Sequence, residues 1–187
     1  MNIYDFDQTV FYPDSSFCFV LFCLRRYPRC VLPAFPRSII PAVRYFTKRS
    51  DATGMKEKLF SFLRRLPDVD TAVAEFWEKH RDRLQAWYLL QKKEDDLIIS
   101  ASPEFLLKPI CRELGVSLIA TRMDKHTGRI WGANCHDQEK VRRFRREYPD
   151  ARPERFYSDS LSDSPMAELA EEAFLVQRDK ISPWPLR

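Results

Sequence analysis

Glycine is scarce in this chain. Only 4 of its 187 residues are glycine, against 13 prolines, so a glycine-rich loop that wraps phosphate with its backbone is largely excluded. Histidine is scarcer still, at 3, and no His/Cys cluster has the spacing of a zinc site. The five cysteines, Cys18, Cys23, Cys30, Cys111 and Cys135, are odd in number and include no CxxC pair. That argues against a disulfide framework and for reduced thiols buried as small apolar side chains. Long apolar runs are absent too. The longest, Phe17 to Leu24, is too short to span a bilayer as a helix. No secretory signal appears, and a first strand starting at Asn2 leaves no room for a removed targeting segment, so the expected location is the cytoplasm. Internal repeats and low-complexity segments are also missing.

What remains is ordinary globular material: 44% hydrophobic, 31% charged and a net charge of +4. The length suits one good core with a small inserted module. The mild positive charge favours encounter with phosphorylated small molecules or an anionic surface.

Three textures divide the chain. Residues 1 to 10 read as a short strand, residues 11 to about 92 as helical or loop-like, and residues 95 to 187 as alternating strands and helices around a parallel sheet. In the middle region "DVDTAVAEFWEKHRDRLQAWYLL" sets Val73, Trp77, His80, Leu84 and Trp87 or Tyr88 at steps of three and four, predicting an amphipathic helix N-capped by Asp70. His80 lies on its apolar stripe and reads as structural. Upstream, prolines at 28, 33, 36 and 41 predict short helices joined by bends. These pack on each other or over a site. The alternative is a lipid-facing surface from 17 to 46, with Arg25, Arg26, Arg29, Arg37 and Arg44 towards headgroups.

In the last region "DDLIISAS" reads as a buried strand. Ser102-Pro103-Glu104 has the signature of a helix start, with Ser102 as N-cap, and Gly115 ends that helix. "VSLIAT" is a strand, "DKHTGRIWG" a turn with a short arm, "DQEKVRRFRREY" a basic helix, "ERFYSDSLSDSPMAEL" a strand, acidic loop and helix, and "AFLVQ" a final strand.

Polar clusters recur where strands end, the place where open α/β sheets bind ligands. They are Asp5 and Asp7, Ser100 and Ser102, Lys140, and Asp159 and Asp163. Each has a bland reading: a surface DxD pair, a helix cap, a solvated basic face shared with Arg142, Arg143, Arg145 and Arg146, a polar loop. Together they are complementary. Carboxylates without clustered His or Cys suit a hard cation such as Mg²⁺, a hydroxyl before a helix suits a phosphate oxygen, and a lysine offsets charge that builds up on transfer.

In order and spacing this set resembles the haloacid dehalogenase-like phosphohydrolases. "DFDQT" is similar to their DxDx[TV] signature, "IISAS" to their strand-then-Ser/Thr motif, Lys140 in "CHDQEKV" to their lysine, and "SDSLSDSPM" to their terminal acidic motif. The helical stretch straight after the first motif is like the cap of the phosphoserine-phosphatase branch. The resemblance implies a Rossmann-like parallel sheet with helices on both faces, a core of residues 1–11 and 93–187, and a helical cap of residues 12–92. It implies Asp5 as the nucleophile and Asp7 as the acid and base. Asp5, Asp7 through its carbonyl, and Asp159 would hold Mg²⁺ with Asp163 in support, while Ser100, Ala101 beside it and Lys140 would bind the phosphoryl oxygens. Gln8 and Ser158 depart from the common pattern without removing a ligand. In phosphoserine phosphatases a glutamate and a cap arginine read the amino acid; here Asp14, Lys56 and Lys58 lie nearest, and phosphoserine is not favoured.

The reading is therefore an Mg²⁺-dependent phosphatase of a small soluble phosphomonoester. Its alternatives are a lipid-phosphate phosphatase of phosphatidylglycerophosphate type, touching membrane through 17–46, and a non-catalytic phosphate-binding module. No nucleic-acid partner is expected, and the oligomeric state is open.

Overall fold

The computed structural model describes residues 1–34 and 53–185. Pro36, Arg37, Pro41, Arg44 and the rest of the 35–46 half of the apolar stretch lie outside the described residues.

Six strands form one sheet in the order β3-β2-β1-β4-β5-β6. They are β1 (Ile3–Tyr4), β2 (Leu97–Pro103), β3 (Ser117–Thr121), β4 (Arg155–Ser158), β5 (Glu172–Gln177) and β6 (Lys180–Pro183). β1 runs parallel between β2 and β4, and among the described residues of this sheet only the β5–β6 pair is antiparallel. Successive strand side chains point to opposite faces, and both faces here are covered. Ile3, Leu97, Ile99, Ile119 and Phe156 meet Phe144 and Met166 on one side. Tyr4, Ile98 and Tyr157 join the larger aromatic core on the other. Burial on both faces explains why β2 reads as an unbroken apolar run rather than an alternating one.

Between β1 and β2 lies a helical insertion: α1 (Ser15–Arg26), α2 (Pro28–Val31), α3 (Thr53–Leu59), α4 (Val69–His80) and α5 (Ala86–Gln91) among the described residues. On α1 the residues Cys18, Phe19, Phe22 and Cys23 are buried, so the described half of the apolar stretch mainly supplies core. Arg25, Arg26 and Arg29 stay exposed. No described helix is long and apolar enough to cross a membrane. The insertion is locked to the sheet by aromatic contacts. Phe6 meets Trp77 edge-on at 6.0 Å, Phe11 meets it at 5.4 Å, and the indole N–H of Trp77 donates to the Leu106 carbonyl at 2.7 Å. Such pairs add about 0.5–1.5 kcal/mol each beyond area burial.

α6 (Glu104–Leu114), α7 (Gln138–Glu147) and α8 (Ser164–Ala167) complete the layers. α6 ends at Gly115, whose φ of 71° is left-handed. All five cysteines are free, and four are buried.

Several sequence expectations need correction. The cap of α4 is Asp68, not Asp70, because its carboxylate reaches both the Asp70 and Thr71 amides. The periodic stretch from Val73 to Tyr88 is not one helix: α4 stops at His80, a 3₁₀ turn covers Arg81–Arg83, and α5 starts at Ala86. The apolar period persists across the break because Leu84 still packs inward, bridging to Phe11. Ser102 does not cap α6. β2 continues through Pro103, and the Ser102 side chain turns elsewhere. The hairpin to β6 is an element that sequence reading misses.

The arm between β3 and α7 docks on the insertion through Gly128, whose φ is +73° and whose added Cβ would fall 2.5 Å from the Phe60 carbonyl oxygen. Gly128→Ala is expected to cost more than about 1 kcal/mol, read as a lowered urea midpoint. Gly54→Ala, where a Cβ meets nothing within 4 Å, should show no loss.

Candidate active site

The carboxyl ends of β1, β2 and β4 place the polar clusters together. Asp5 follows β1 and is anchored by its amide to the Tyr157 carbonyl at 2.8 Å. Strand alternation then sends Phe6 into the aromatic core and leaves Asp5 and Asp7 on the other side. A tight turn follows: Gln8 has a φ of 60°, and the Phe6 carbonyl accepts the Val10 amide at 2.8 Å.

Lys140 comes from the first turn of α7 and is 2% exposed. Its ammonium donates to Asp5 Oδ1 at 2.6 Å and to Asp163 Oδ2 at 2.7 Å. Burial works against that charge, but Asp163 and Asp5 outweigh it and hold the ammonium protonated well above lysine's usual range. Burial pushes Asp5 up to about 7, with Lys140 opposing and Asp163 adding to the rise. Asp159 is likewise pushed up to about 7, by burial first and then by the charge of Asp5. Three carboxylates thus face one ammonium, and two negative charges are left uncompensated when all are ionised.

Asp7 is held differently. Its Oδ1 accepts the Ser15 amide at 2.6 Å and its Oδ2 accepts the Ser102 hydroxyl at 2.5 Å. Burial and the charge of Asp14 push it up to about 6, while the bonds from Ser102 and Ser15 pull the other way. Ser100 is 1% exposed. Its oxygen accepts the Ser102 amide at 3.0 Å, and its hydrogen has no partner among the described residues, so it can still donate to an anion.

A protein-family model of haloacid dehalogenase-like hydrolases matches residues 3–168. The chain belongs to the haloacid dehalogenase-like hydrolases. Protein CicA of Caulobacter vibrioides is 30% identical over 196 residues, covering 90% of this chain and 82% of that protein. Two crystal structures share the fold of this hydrolase. A protein of unknown function from Bordetella pertussis Tohama I has a TM-score of 0.73 at 23% identity, covering 92% of this chain and 87% of that one. A phosphoserine phosphohydrolase-like protein from Francisella tularensis subsp. tularensis SCHU S4 has a TM-score of 0.56 at 15% identity, covering 92% and 86%.

Of the candidate leaving-group readers in this haloacid dehalogenase-like hydrolase, Lys56 reaches the site and Lys58 does not. The Lys56 ammonium donates to the Ala101 carbonyl at 2.7 Å and to Asn134 Oδ1 at 3.0 Å. Burial lowers its pKa against the pull of Asp14 and Asp7. Lys58 is exposed; residues two apart on a helix cannot face the same way. Asp14 caps α1 by accepting the Phe17 amide at 2.7 Å. The Ala101 carbonyl also accepts the Thr121 hydroxyl at 2.7 Å. On α7, Arg143 is buried and donates to the Ala120 and Ala133 carbonyls at 2.6 Å each. The basic face therefore reduces to Arg142, Arg145 and Arg146.

Sequence reasoning misses Ser15, whose amide donates to Asp7, and Ser16, whose hydroxyl meets that of Ser102. It singles out Ser102 as a polar strand-end residue without its bond to Asp7. It also names Ser158 without its role, which is to donate to Asp163 Oδ2 at 2.7 Å. Only the position of Ser158, directly before Asp159, could have flagged it.

Among the described residues no three His, Cys, Asp or Glu side chains are already drawn together as a metal cluster; the Lys140 ammonium stands between Asp5 and Asp163. The donor set nonetheless fits a hard divalent cation. Asp163 Oδ1 is buried without a hydrogen-bond partner, which in a native interior calls for an ion or water. The uncompensated charge at Asp5 and Asp159 has the matching sign, and every donor is oxygen.

Proposed function

We propose that this chain is an Mg²⁺-dependent phosphomonoesterase that passes the phosphoryl group through Asp5, with a small soluble phosphomonoester as the favoured substrate. The observation that supports it best is the buried Lys140 ammonium, 2.6 Å from Asp5 at the end of the central strand. A nucleophilic carboxylate must be ionised, and a cation at that distance favours the ionised form.

In this reading residues 1–11 and 93–187 form the core, and residues 12–92 a cap that brings Asp14 and Lys56 over the leaving group. Ser100 and Lys140 bind the oxygens of the transferring group. A carboxylate oxygen of Asp5 attacks phosphorus as the bond to the leaving oxygen breaks, and Asp7 gives that oxygen its proton. Asp7, now ionised, takes a proton from water. The water oxygen attacks phosphorus, the Asp5–phosphate bond breaks, and inorganic phosphate leaves with Asp5 restored. The side chains of Asp5 and Asp159 and the carbonyl of Asp7 would hold Mg²⁺, with Asp163 in support. When bound, the ion supplies positive charge against the phosphoryl oxygens and keeps Asp5 ionised.

The test is turnover of p-nitrophenyl phosphate before and after chelation. Chelator is expected to lower kcat/KM by about a hundredfold or more, as the loss of a charge-stabilising partner does, with recovery on adding Mg²⁺. Activity that survives exhaustive chelation would count against the reading.

A further inference from the structure

The bonding around Ser102 is complete and spans two parts of the fold. Its oxygen lies 2.5 Å from Asp7 Oδ2, 2.7 Å from Ser16 Oγ and 3.3 Å from Ser15 Oγ. A hydroxyl has one hydrogen and two acceptor sites. With the hydrogen given to Asp7, both acceptor sites receive the hydroxyls of Ser15 and Ser16. Asp7 Oδ1 takes the Ser15 amide from the other side. The three serines are 0%, 8% and 3% exposed in the order Ser15, Ser16 and Ser102, so water does not compete for these bonds.

Ser102 therefore forgoes the local bond its sequence invites, since α6 starts with no side-chain cap. The terminal torsion of an aspartate is broad when nothing fixes it, yet a general acid must lie within hydrogen-bond reach of the oxygen it protonates. Two of the serines open α1, while Ser102 belongs to β2. The orientation of Asp7 is thus set where insertion and sheet meet.

We infer that Ser102, backed by Ser15 and Ser16, is a positioning residue that aims the Asp7 carboxyl at the leaving oxygen, and does so only while α1 is seated against β2. The inference rests on Asp7 being the general acid.

Aryl phosphates of similar shape separate this role from a merely structural one. The p-nitrophenolate ion leaves without a proton, whereas phenol needs one. kcat/KM reports the transfer to Asp5 whichever later step limits kcat. Ser102→Ala is expected to lower kcat/KM for phenyl phosphate about 10- to 100-fold and for p-nitrophenyl phosphate less than about threefold, a part of the roughly 10²–10⁴ that general acid catalysis supplies. Asp7→Asn should give the same selectivity with a larger loss. Ser16→Ala, which leaves the Ser102–Asp7 bond in place, should give a smaller selective loss and carries the test if Ser102→Ala folds poorly. Equal losses on both substrates, or none, in the serine variants would overturn the inference while a selective Asp7→Asn left the acid assignment standing. An unselective Asp7→Asn would remove the assignment and the inference with it.

Discussion

Asp5→Asn should abolish phosphatase turnover and leave a folded protein at least as stable as the parent. Asparagine has nearly the shape of aspartate and keeps an oxygen where Lys140 donates at 2.6 Å. What it lacks is the charge and nucleophilicity of a carboxylate. Loss of a covalent nucleophile costs on the order of 10⁵–10⁶ in kcat, which is about 7–8 kcal/mol of barrier. Stability should move the other way, because burial already pushes Asp5 up to about 7. At pH 8 the folded protein without metal carries a carboxylate that its surroundings disfavour, and asparagine removes that cost. The thermal midpoint is therefore expected to hold or rise while activity disappears. A rapid acid quench with labelled phosphomonoester should leave hydroxylamine-sensitive label on the parent and none on Asp5→Asn. Label on the variant, or activity above a few per cent, would eliminate Asp5 as the covalent carrier.

How much of this was legible beforehand follows from the range of each interaction. Asp5, Asp7, Ser100, Asp159 and Asp163 are candidates in the sequence because they follow strands with a clear apolar pattern, and the architecture brings strand ends together. Lys140 sits in a basic helix with no such pattern, and only its place among the other clusters and the family resemblance single it out. The misreadings are local signals overruled at a distance. Ser102-Pro103-Glu104 carries a helix-start signature, but the Asp7 carboxylate, 95 residues away in the chain, takes the hydroxyl. Asp68 and Asp70 are both plausible caps, and only geometry decides that one carboxylate reaches two amides. The hairpin before β6 turns at Arg178 with a φ of 58°, without the Asn-Gly or Asp-Gly pair that marks such turns. The serine junction at Asp7 has no sequence signature, since serine pairs are common in loops and nothing local ties Ser15 and Ser16 to β2.

Lys140→Met is expected to lower both activity and stability, the second in a pH-dependent way that a simple packing defect would not produce. The ammonium is fully enclosed and serves Asp5 and Asp163 at once. Removing one partner from a buried ion pair costs about 3–5 kcal/mol, because the charges left behind have neither water nor a counter-ion. The sign with pH follows from proton uptake. Asp5 and Asp159 are pushed up to about 7 in the folded protein, above the roughly 3.9 of an unfolded chain. Between those values the folded state binds more protons, so stability falls as pH rises from 4 through 7. Lys140 restrains that fall in the parent, and its charge persists throughout this window because its own pKa is raised. Lys140→Met loses that restraint, so urea midpoints of parent and variant should differ most at pH 8 and converge towards pH 5. Excess Mg²⁺ should recover part of the stability at pH 8, since it supplies positive charge to the same carboxylates. It should not recover turnover, which is expected to stay about 10²–10³-fold down, the usual effect of losing one charge-stabilising donor. A stability deficit of equal size at pH 5 and pH 8 would mean that Lys140 contributes packing rather than charge, and the electrostatic account of the Asp5–Asp159–Asp163 cluster would then fail.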